Sequence, residues 1–164
     1  MRYILEDLLK IRETRVDTAK AEVKTKEYRY EQAVKKVEQK KKELQDYHIW
    51  RIQKESALYE GIKNKLVRLK DLDALRQHIA LLRERELALK KAIIEAEKEK
   101  EETLLELNKS KEQLRQAIKE HEKILEHKKR WLEDIKKEME RKQEIELEEF
   151  KAKIAYYSEE EVGD

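Results

Sequence analysis

The sequence lacks proline and cysteine, and its 164 residues include only two glycines, Gly61 and Gly163. A globular domain with many turns usually needs Pro, Gly, Asn or Asp, so we expect few turns. Without cysteine, disulfide bonds and thiolate metal sites are excluded. No apolar run is long enough to span a bilayer, and the acidic residues near Met1 do not fit a cleavable signal peptide. These absences predict a cytoplasmic protein with no direct membrane insertion.

Charged residues are abundant but nearly balanced. They make up 48% of the chain, against 38% apolar residues, and the net charge is only +2. Residues 138–164 carry 4 Lys/Arg and 10 Asp/Glu, so the end of the chain is acidic. An acidic end and an interleaved, mixed-sign remainder do not form the basic stripe that nucleic-acid binding requires. The composition is typical of long helices.

Apolar residues recur in two heptad patterns that are out of phase with each other. The first pattern contains Leu9, Val16, Val23, Tyr30, Val37 and Leu44, and the second contains Leu75, Leu82, Leu89, Ala96, Ala117 and Ile124. Such spacing predicts coiled-coil helices, and the phase change coincides with the internal glycine, Gly61. We therefore predict one domain over 1–164, with a helix over about 2–60, a turn over about 61–71 and a helix over about 72–156. An acidic tail would cover about 157–164, and Asp71 would cap the second helix.

An antiparallel hairpin buries both patterns in one chain. In the register that we favour, Leu9 faces Ile124, Val37 faces Ala96, and large residues meet small ones. The same register places Arg12 opposite His121 and Tyr47 opposite Glu86. The predicted fold is thus an all-α, two-helix antiparallel coiled coil that is monomeric in isolation. The second helix would extend beyond the first after about residue 131.

The sequence shows no catalytic or metal-binding pattern. The histidines, His48, His78, His121 and His127, are not spaced at three or four residues from one another, as helical metal ligands would be. There is no glycine-rich phosphate loop and no nucleophile elbow. We therefore expect no enzymatic activity, no metal and no cofactor, and a function in protein binding.

Two regions carry apolar residues beyond those that the hairpin requires. Near the turn, Ile49, Trp50, Ile52 and Leu81 fall outside the seam, and Trp is enriched at binding hot spots. At the open end, Ile4, Leu8 and Ile11 widen the apolar face near Trp131. Basic residues surround this second region: Lys10, Arg12, Arg15, Lys128, Lys129 and Arg130. The open end fits a partner site or a hydrophobic clasp that closes the hairpin, and the sequence leaves both open.

Several segments resemble the YscO proteins of bacterial type III secretion. The resemblance lies in the run from Gln45 to Ile52, which contains Tyr47-His48-Ile49-Trp50-Arg51, and in the run from Arg76 to Glu84. Lys70-Asp71-Leu72 is also similar. The opening from Arg2 to Ala19 and the run His127 to Trp131 are similar to chlamydial-type members of the family.

The resemblance implies a cytoplasmic central stalk related to flagellar FliJ and to the gamma subunit of rotary ATP synthases. Such a protein would bind the hexameric secretion ATPase, contact the cytoplasmic domain of the export gate and, in several systems, bind secretion chaperones. In flagellar relatives, residues flanking the turn contact the gate, and the matching positions here are Leu44, Tyr47, His78 and Leu82. With their neighbours near the turn, they form the predicted gate or chaperone site, which adds His48, Ile49, Trp50, Ile52 and Leu81. The open end would bind the ATPase. A coiled-coil spacer or scaffold and, more weakly, a tRNA-binding arm are alternatives from other functional classes.

Overall fold

The chain forms two α-helices, α1 (Glu6–Ile62) and α2 (Leu69–Val162), in a computed structural model that describes residues 1–163. No strand occurs within that range. The first turn of α1 contains Glu6 and Asp7, which interact favourably with the positive end of the helix dipole. The all-α fold with antiparallel helices is confirmed.

The connection between the helices, residues 63–68, lies within the predicted turn and is shorter than it. Gly61 is still helical, and the one non-glycine residue with positive φ among those described is Asn64, at 60°. Asn tolerates this left-handed conformation better than most residues. Since the chain also makes a Lys63 N–H to Tyr59 carbonyl bond of 3.1 Å, α1 ends in a tight turn that does not require Gly61.

Asp71 has a different capping role from the predicted one. Because α2 begins at Leu69, Asp71 is its third residue, and its carboxylate accepts a hydrogen bond from the Arg68 backbone N–H at 3.3 Å. This is the reciprocal half of a capping box. At the other end α2 continues past 156 to Val162, so most of the segment predicted as an acidic tail is helical. Asp164, the last residue of that segment, lies outside the described residues.

Two compact units can be distinguished along the helices. The turn unit comprises Ala19–Gln113 and therefore includes the connection. The termini unit comprises Met1–Thr18 and the part of α2 from Leu114 onward. In each unit, a segment of α1 packs antiparallel to a segment of α2.

The core of the turn unit follows the predicted heptad rows. Its buried residues are Val23, Ala33, Val37, Leu75, Ile79, Ala96, Leu107 and Ser110, together with two glutamates described below. Ser110 donates to the Leu107 carbonyl at 2.8 Å, so its buried hydroxyl is satisfied. Glu86 hydrogen-bonds to His48, one position from Tyr47, the residue predicted to face it.

The termini unit has a shorter core that contains Tyr3, Leu9 and Val16. Arg12 forms an ion pair with Glu120, one position from the predicted His121. Every described side chain from residue 136 onward is exposed. This confirms that α2 extends beyond the N-terminal segment within the unit.

Candidate functional site

The turn unit presents the apolar residues that the sequence placed outside its seam. Ile49, Trp50 and Ile52 are 47–50% exposed, and Leu81 is 65% exposed. His48 and His78 are also exposed, whereas Leu44, Tyr47 and Leu82 are half-buried. The surface-forming members of the predicted gate or chaperone site are therefore Ile49, Trp50, Ile52, Leu81 and the two histidines.

These residues do not all form one patch, because Trp50 and Ile52 line separate clefts. The Trp50 cleft, about 290 Å³ in volume, is lined by Tyr47, Trp50, Leu82 and Arg85. The Ile52 cleft is lined by Ile52, Glu55, Ser56, Tyr59 and their neighbours toward Lys63. The sequence grouped Trp50 with Ile52 by proximity along the chain, but two residues of separation place their side chains on different helix faces.

The Trp50 cleft is held in place by contacts from both helices. The Tyr47 hydroxyl donates to the Leu82 carbonyl at 2.7 Å, and the Tyr47 and Trp50 ring centroids are 5.5 Å apart. The Arg85 guanidinium lies 5.9 Å from the Tyr47 ring centroid, within cation–π range. The cleft thus combines a fixed aromatic surface with one cation, which are features of interface hot spots.

An ionic cluster of five side chains connects α1 and α2 beside this cleft. Arg51 pairs with Glu55 at 2.9 Å and also with Glu86. His48 Nδ1 lies 2.7 Å from the Glu86 carboxylate, and Arg83 Nε donates to Glu55 at 3.1 Å. Both glutamates are buried, Glu55 at 9% and Glu86 at 7% exposure. Buried carboxylates require such partners.

The cluster changes the ionisation of its members. The hydrogen bond from Arg83 lowers the pKa of Glu55 against the opposing effect of burial. Burial raises the pKa of Glu86, but the hydrogen bonds from His48 and Arg51 outweigh it, and the net pKa lies below the usual Glu value. The pKa of Arg51 is raised, chiefly by its hydrogen bond to Glu55. Both carboxylates are therefore held in the charged form.

Sequence reasoning missed this cluster, although a signal was present. Arg51 and Glu86 are charged interruptions of heptad rows that are otherwise largely apolar. Two opposite charges that interrupt the apolar rows of the two helices near the same level of the seam predict an ion pair across the helices.

The predicted site in the termini unit contains an aromatic clasp formed by Tyr3, His127 and Trp131. Tyr3 is 4% exposed, and its ring centroid is 5.1 Å from that of Trp131. The Tyr3 hydroxyl is hydrogen-bonded to His127 Nδ1. Tyr3 was not among the predicted site residues. Its neighbour Ile4, which was, is 84% exposed.

The basic residues around the clasp divide into half-buried and exposed groups. Arg12 pairs with Glu120, and Lys128 Nζ lies 3.0 Å from Glu6 and 5.9 Å from the Tyr3 ring centroid. Both side chains are partly buried by these contacts. The exposed members of the predicted set are Lys10, Arg15, Lys129 and Arg130, together with Ile11; Leu8 is half-buried. The clasp and an exposed basic surface thus coexist in this unit.

Residues 1–163 contain neither a metal-binding cluster nor a membrane-spanning helix. No group of three or more His, Cys, Asp or Glu side chains is arranged to hold a metal ion in that range. None of the helices described there is long and apolar enough to cross a membrane.

The two-helix fold defines the chain as a helical-hairpin protein with exposed clefts on its flanks. The family model described as type III secretion protein YscO matches residues 5–153. The chain therefore belongs to the YscO family of type III secretion proteins.

Individual relatives agree with this assignment. The Yop proteins translocation protein O of Yersinia pseudotuberculosis is 32% identical over 83 residues, which are 51% of this chain and 54% of that protein. The chain thus matches about half the length of this curated relative.

Solved structures of the family extend the likeness along more of the chain. The crystal structure of type III secretion protein YscO from Vibrio parahaemolyticus is similar with a TM-score of 0.83 and 33% identity. The likeness covers 90% of this chain and 92% of that one. A YscO homologue from Chlamydia trachomatis has the same fold, with a TM-score of 0.80, 24% identity and 98% of each chain covered.

Proposed function

We propose that this chain is the central stalk of a type III secretion system, which binds the secretion ATPase through its termini unit and the export gate through its turn unit. One observation carries the proposal. Each unit leaves large apolar side chains exposed beside a core that is already formed, Ile4 and Ile11 in one and Trp50 and Leu81 in the other. Exposed apolar patches of this kind mark interaction sites.

The proposal assigns the Trp50 cleft to the cytoplasmic domain of the export gate. Trp50 and Tyr47 offer a fixed aromatic surface, and Arg85 offers a cation next to it. Aromatic and arginine residues supply much of the energy of typical interfaces. Substrate chaperones are proposed to use the same surface, so that the gate and the chaperones would compete for it.

The ATPase contact is proposed for the exposed surface around the clasp. Lys10, Arg15, Lys129 and Arg130 would provide its charges, and Ile4 and Ile11 its apolar contacts. The proposed role is binding, without catalysis by the chain itself, on the cytoplasmic side of the inner membrane.

The ATPase half of the proposal is tested by adding the purified chain to the cognate secretion ATPase. We expect a higher rate of ATP hydrolysis and a larger hexameric fraction, because a stalk within a ring biases its assembly or its cycle. A charge-reversed variant, Lys10→Glu with Arg15→Glu, should weaken this effect, and more so at low ionic strength because exposed charges are screened by salt. An unchanged rate and oligomer size at saturating chain would reject the stalk role.

The gate half is tested by calorimetry with the purified cytoplasmic domain of the gate. Trp50→Ala should weaken binding by about 1–3 kcal/mol, the range of an interface anchor, and leave ATPase stimulation intact. Tyr59→Ala is the matched control, since Tyr59 is 53% exposed in the Ile52 cleft. If both variants lose equal affinity, or if Trp50→Ala abolishes ATPase stimulation, the division of roles between the units is wrong.

A further inference from the structure

A second row of mostly small and apolar side chains runs along α2, on the flank that contains the Trp50 cleft. Its members are spaced alternately by four and three residues, which is the period of a coiled-coil contact. We call them the lateral stripe: Ala74, His78, Leu81, Arg85, Ala88 and Ala92. All are exposed except the half-buried Ala92. The core of the turn unit uses other rows of α2, which contain Leu75 and Ile79. The apolar surface of α2 therefore exceeds what its pairing with α1 requires.

The lateral stripe borders two clefts on the same flank of the turn unit. The first is the Trp50 cleft, to which α2 contributes Arg85. The second, about 390 Å³ in volume, includes Ala57 of α1 and His78 of α2 in its lining. Trp50 and Ala57 are seven residues apart, as are His78 and Arg85, so the clefts lie about 10 Å apart along the helices. A helix lying along this flank would reach both clefts with side chains that are seven residues apart.

The relief of the lateral stripe suits a closely packed helix. Three of its six members are alanines, and small side chains allow helix axes to approach toward the lower end of the usual range of about 8–10 Å. Alanine also favours helix formation by itself, but that preference does not account for large apolar neighbours in water. Leu81 is 65% exposed and Trp50 is 47% exposed. Small and large side chains thus alternate on this flank as they do in a helix–helix contact.

Arg85 lies within this surface, and the chain provides no carboxylate for it among residues 1–163. Its neighbours three and four residues away are all apolar: Leu81, Leu82, Ala88 and Leu89. Glu84 is adjacent in sequence, but consecutive residues do not face each other on a helix. Arg51 and Arg83, by contrast, are both paired with Glu55. The Arg85 guanidinium therefore retains its capacity to bind an anion.

The position of Arg85 determines what can cover it. A helix packed on the lateral stripe would remove water from the guanidinium, and burying a charge is costly unless an opposite charge replaces the water. A carboxylate can accept two parallel hydrogen bonds from a guanidinium. The contact of Arg85 with the Tyr47 ring, at 5.9 Å from the centroid, does not use these donors. The covering helix therefore needs an Asp or Glu within an otherwise apolar seam.

A second copy of the chain does not meet this requirement through the same surface. The lateral stripe contains no Asp or Glu. Two stripes packed on each other would place Arg85 against apolar side chains, against His78 or against Arg85 of the other copy. Each arrangement would leave a buried guanidinium without a carboxylate, which is strongly destabilising.

We propose that the lateral stripe and the Trp50 cleft bind one α-helix of a partner protein, whose apolar seam contains an Asp or Glu that pairs with Arg85. The bound helix packs as the third helix of a local bundle and places side chains in both clefts. The inference deepens the proposed gate contact, and rests on it only for the identity of the protein that supplies the helix. Arg85 is then the residue that selects this helix.

The test uses the full chain and two synthetic three-heptad helical peptides with a seam of Leu and Ala. The peptides differ at one central seam position, which is Glu in the first and Lys in the second. Binding is measured by fluorescence anisotropy. Arg85→Glu reverses the charge in the stripe, and Arg76→Glu is its matched control, because Arg76 is exposed on α2 outside the stripe. Both variants change the net charge equally.

A second pair of variants tests the close approach of the helix. Ala88→Trp places a bulky side chain in the lateral stripe. Ala80→Trp is its matched control, since Ala80 is exposed on another row of α2. All four substituted residues are exposed, so circular dichroism is expected to show the parent helicity in every variant.

We expect the Glu peptide to bind the parent chain and both controls. It should lose roughly tenfold or more in affinity for Arg85→Glu and for Ala88→Trp, since a like charge or a steric clash then opposes the contact. The Lys peptide should show the reverse charge preference and bind Arg85→Glu more tightly than the parent chain. This reversal requires direct pairing, and a merely structural role of Arg85 would not produce it.

Several results would overturn the proposal. They are no binding of the Glu peptide to the parent chain, equal losses in Arg85→Glu and Arg76→Glu, and no gain of the Lys peptide from Arg85→Glu. Equal losses in Ala88→Trp and Ala80→Trp would reject the lateral stripe as the contact. A concentration-dependent dimer in sedimentation that Ala88→Trp abolishes would identify the occupant as a second copy and reject the partner helix.

Calorimetry with the cytoplasmic domain of the gate separates this proposal from the proposed function. Binding of the Glu peptide without any binding of the gate domain would reject the gate assignment and retain the helix site. Gate binding that depends on Trp50 but not on Arg85 would retain the gate assignment and reject the role of Arg85.

Discussion

The turn unit and the termini unit connect their helices by different chemistry. In the turn unit, two buried glutamates are paired with arginines and a histidine at the level of the core. In the termini unit, the most buried side chain is Tyr3, which packs against Trp131 and bonds to His127. An apolar seam can slip by a heptad with modest loss, whereas a charge cluster fits one alignment. We therefore expect the ionic cluster to fix the register of the turn unit.

Solvent exposure also separates the two units. The turn unit has a buried core with exposed clefts on its surface, whereas the termini unit ends in a helical segment whose described side chains are all exposed from residue 136 onward. Function in the first unit would then depend on a preformed surface. Function in the second would depend on a contact that orders a bare helix, which costs more conformational entropy on binding.

The largest effect is expected from a charge placed in the turn-unit core. Leu107 is 5% exposed, so Leu107→Asp should lower the free energy of unfolding by about 3–5 kcal/mol. Leu105→Asp is the matched control, because Leu105 is 69% exposed and should change stability by less than about 0.5 kcal/mol. Urea denaturation followed by circular dichroism measures both. If both variants lowered the free energy of unfolding equally, Leu107 would not be part of the core.

The next effect tests the ionic cluster. Glu86→Ala leaves Arg51 with one carboxylate fewer, and should lower the free energy of unfolding by about 1–3 kcal/mol. The loss is smaller than in a deep core, since water is never far from the seam of a two-helix pair. Glu84→Ala, two residues away and exposed, should have little effect. The double variant Glu86→Leu with Arg51→Leu should recover most of the stability.

The register of the two helices can also be measured in the double variant Glu86→Leu with Arg51→Leu. If the ionic cluster fixes the alignment, cysteines at Val37 and Ala96 should form one intramolecular disulfide in the parent chain and a mixture of products in the double-leucine variant. A single product in both would show that the apolar rows determine the register by themselves.

The pH dependence of stability isolates the same cluster. The pKa values of Glu55 and Glu86 are lower in the folded chain than the ordinary Glu value of 4.5. Their contribution is therefore complete above about pH 4.5, and is lost as the pH falls through the lowered folded-state values. The free energy of unfolding, measured between about pH 7 and pH 3, should fall as these carboxylates are protonated. The double variant Glu55→Gln with Glu86→Gln should reduce the slope of this free energy against pH. An unchanged slope would mean that other carboxylates account for it.

The sequence predicted the features that depend on periodicity. Seven-residue repeats identified the helices, the antiparallel pairing and a register within one position of the Arg12–Glu120 and His48–Glu86 contacts. Features that depend on local hydrogen bonds were predicted less well. Within the predicted turn, the residue with the left-handed backbone is Asn64, which accepts this conformation as Gly61 would. The second helix begins at Leu69, a few residues before the predicted start at about 72.

The sequence predicted which residues of the candidate surfaces are exposed better than it predicted how these residues are arranged. Exposure of Ile49, Trp50 and Leu81 followed from their heptad positions, but the separation of Trp50 from Ile52 required the geometry of both helices. The role of Tyr3 was missed because it precedes the first residue of α1, where heptad positions carry little information. Its partner Trp131 was assigned to the correct region, with Ile4 as its expected neighbour.

The smallest effect concerns the aromatic clasp and should be confined to the termini unit. Tyr3→Phe keeps the ring against Trp131 but removes the hydrogen bond to His127, which should cost about 0.5–1.5 kcal/mol. Hydrogen exchange is the suitable measurement, because local opening near a terminus is resolved there and is averaged out in global unfolding. Faster exchange is expected in the first turns of α1 and around His127, with no change near Glu86. Tyr28→Phe is the control, since Tyr28 is 62% exposed in the turn unit. Faster exchange throughout both units would show that they open together, and would contradict the distinction between a charge-fixed turn unit and an aromatic termini unit.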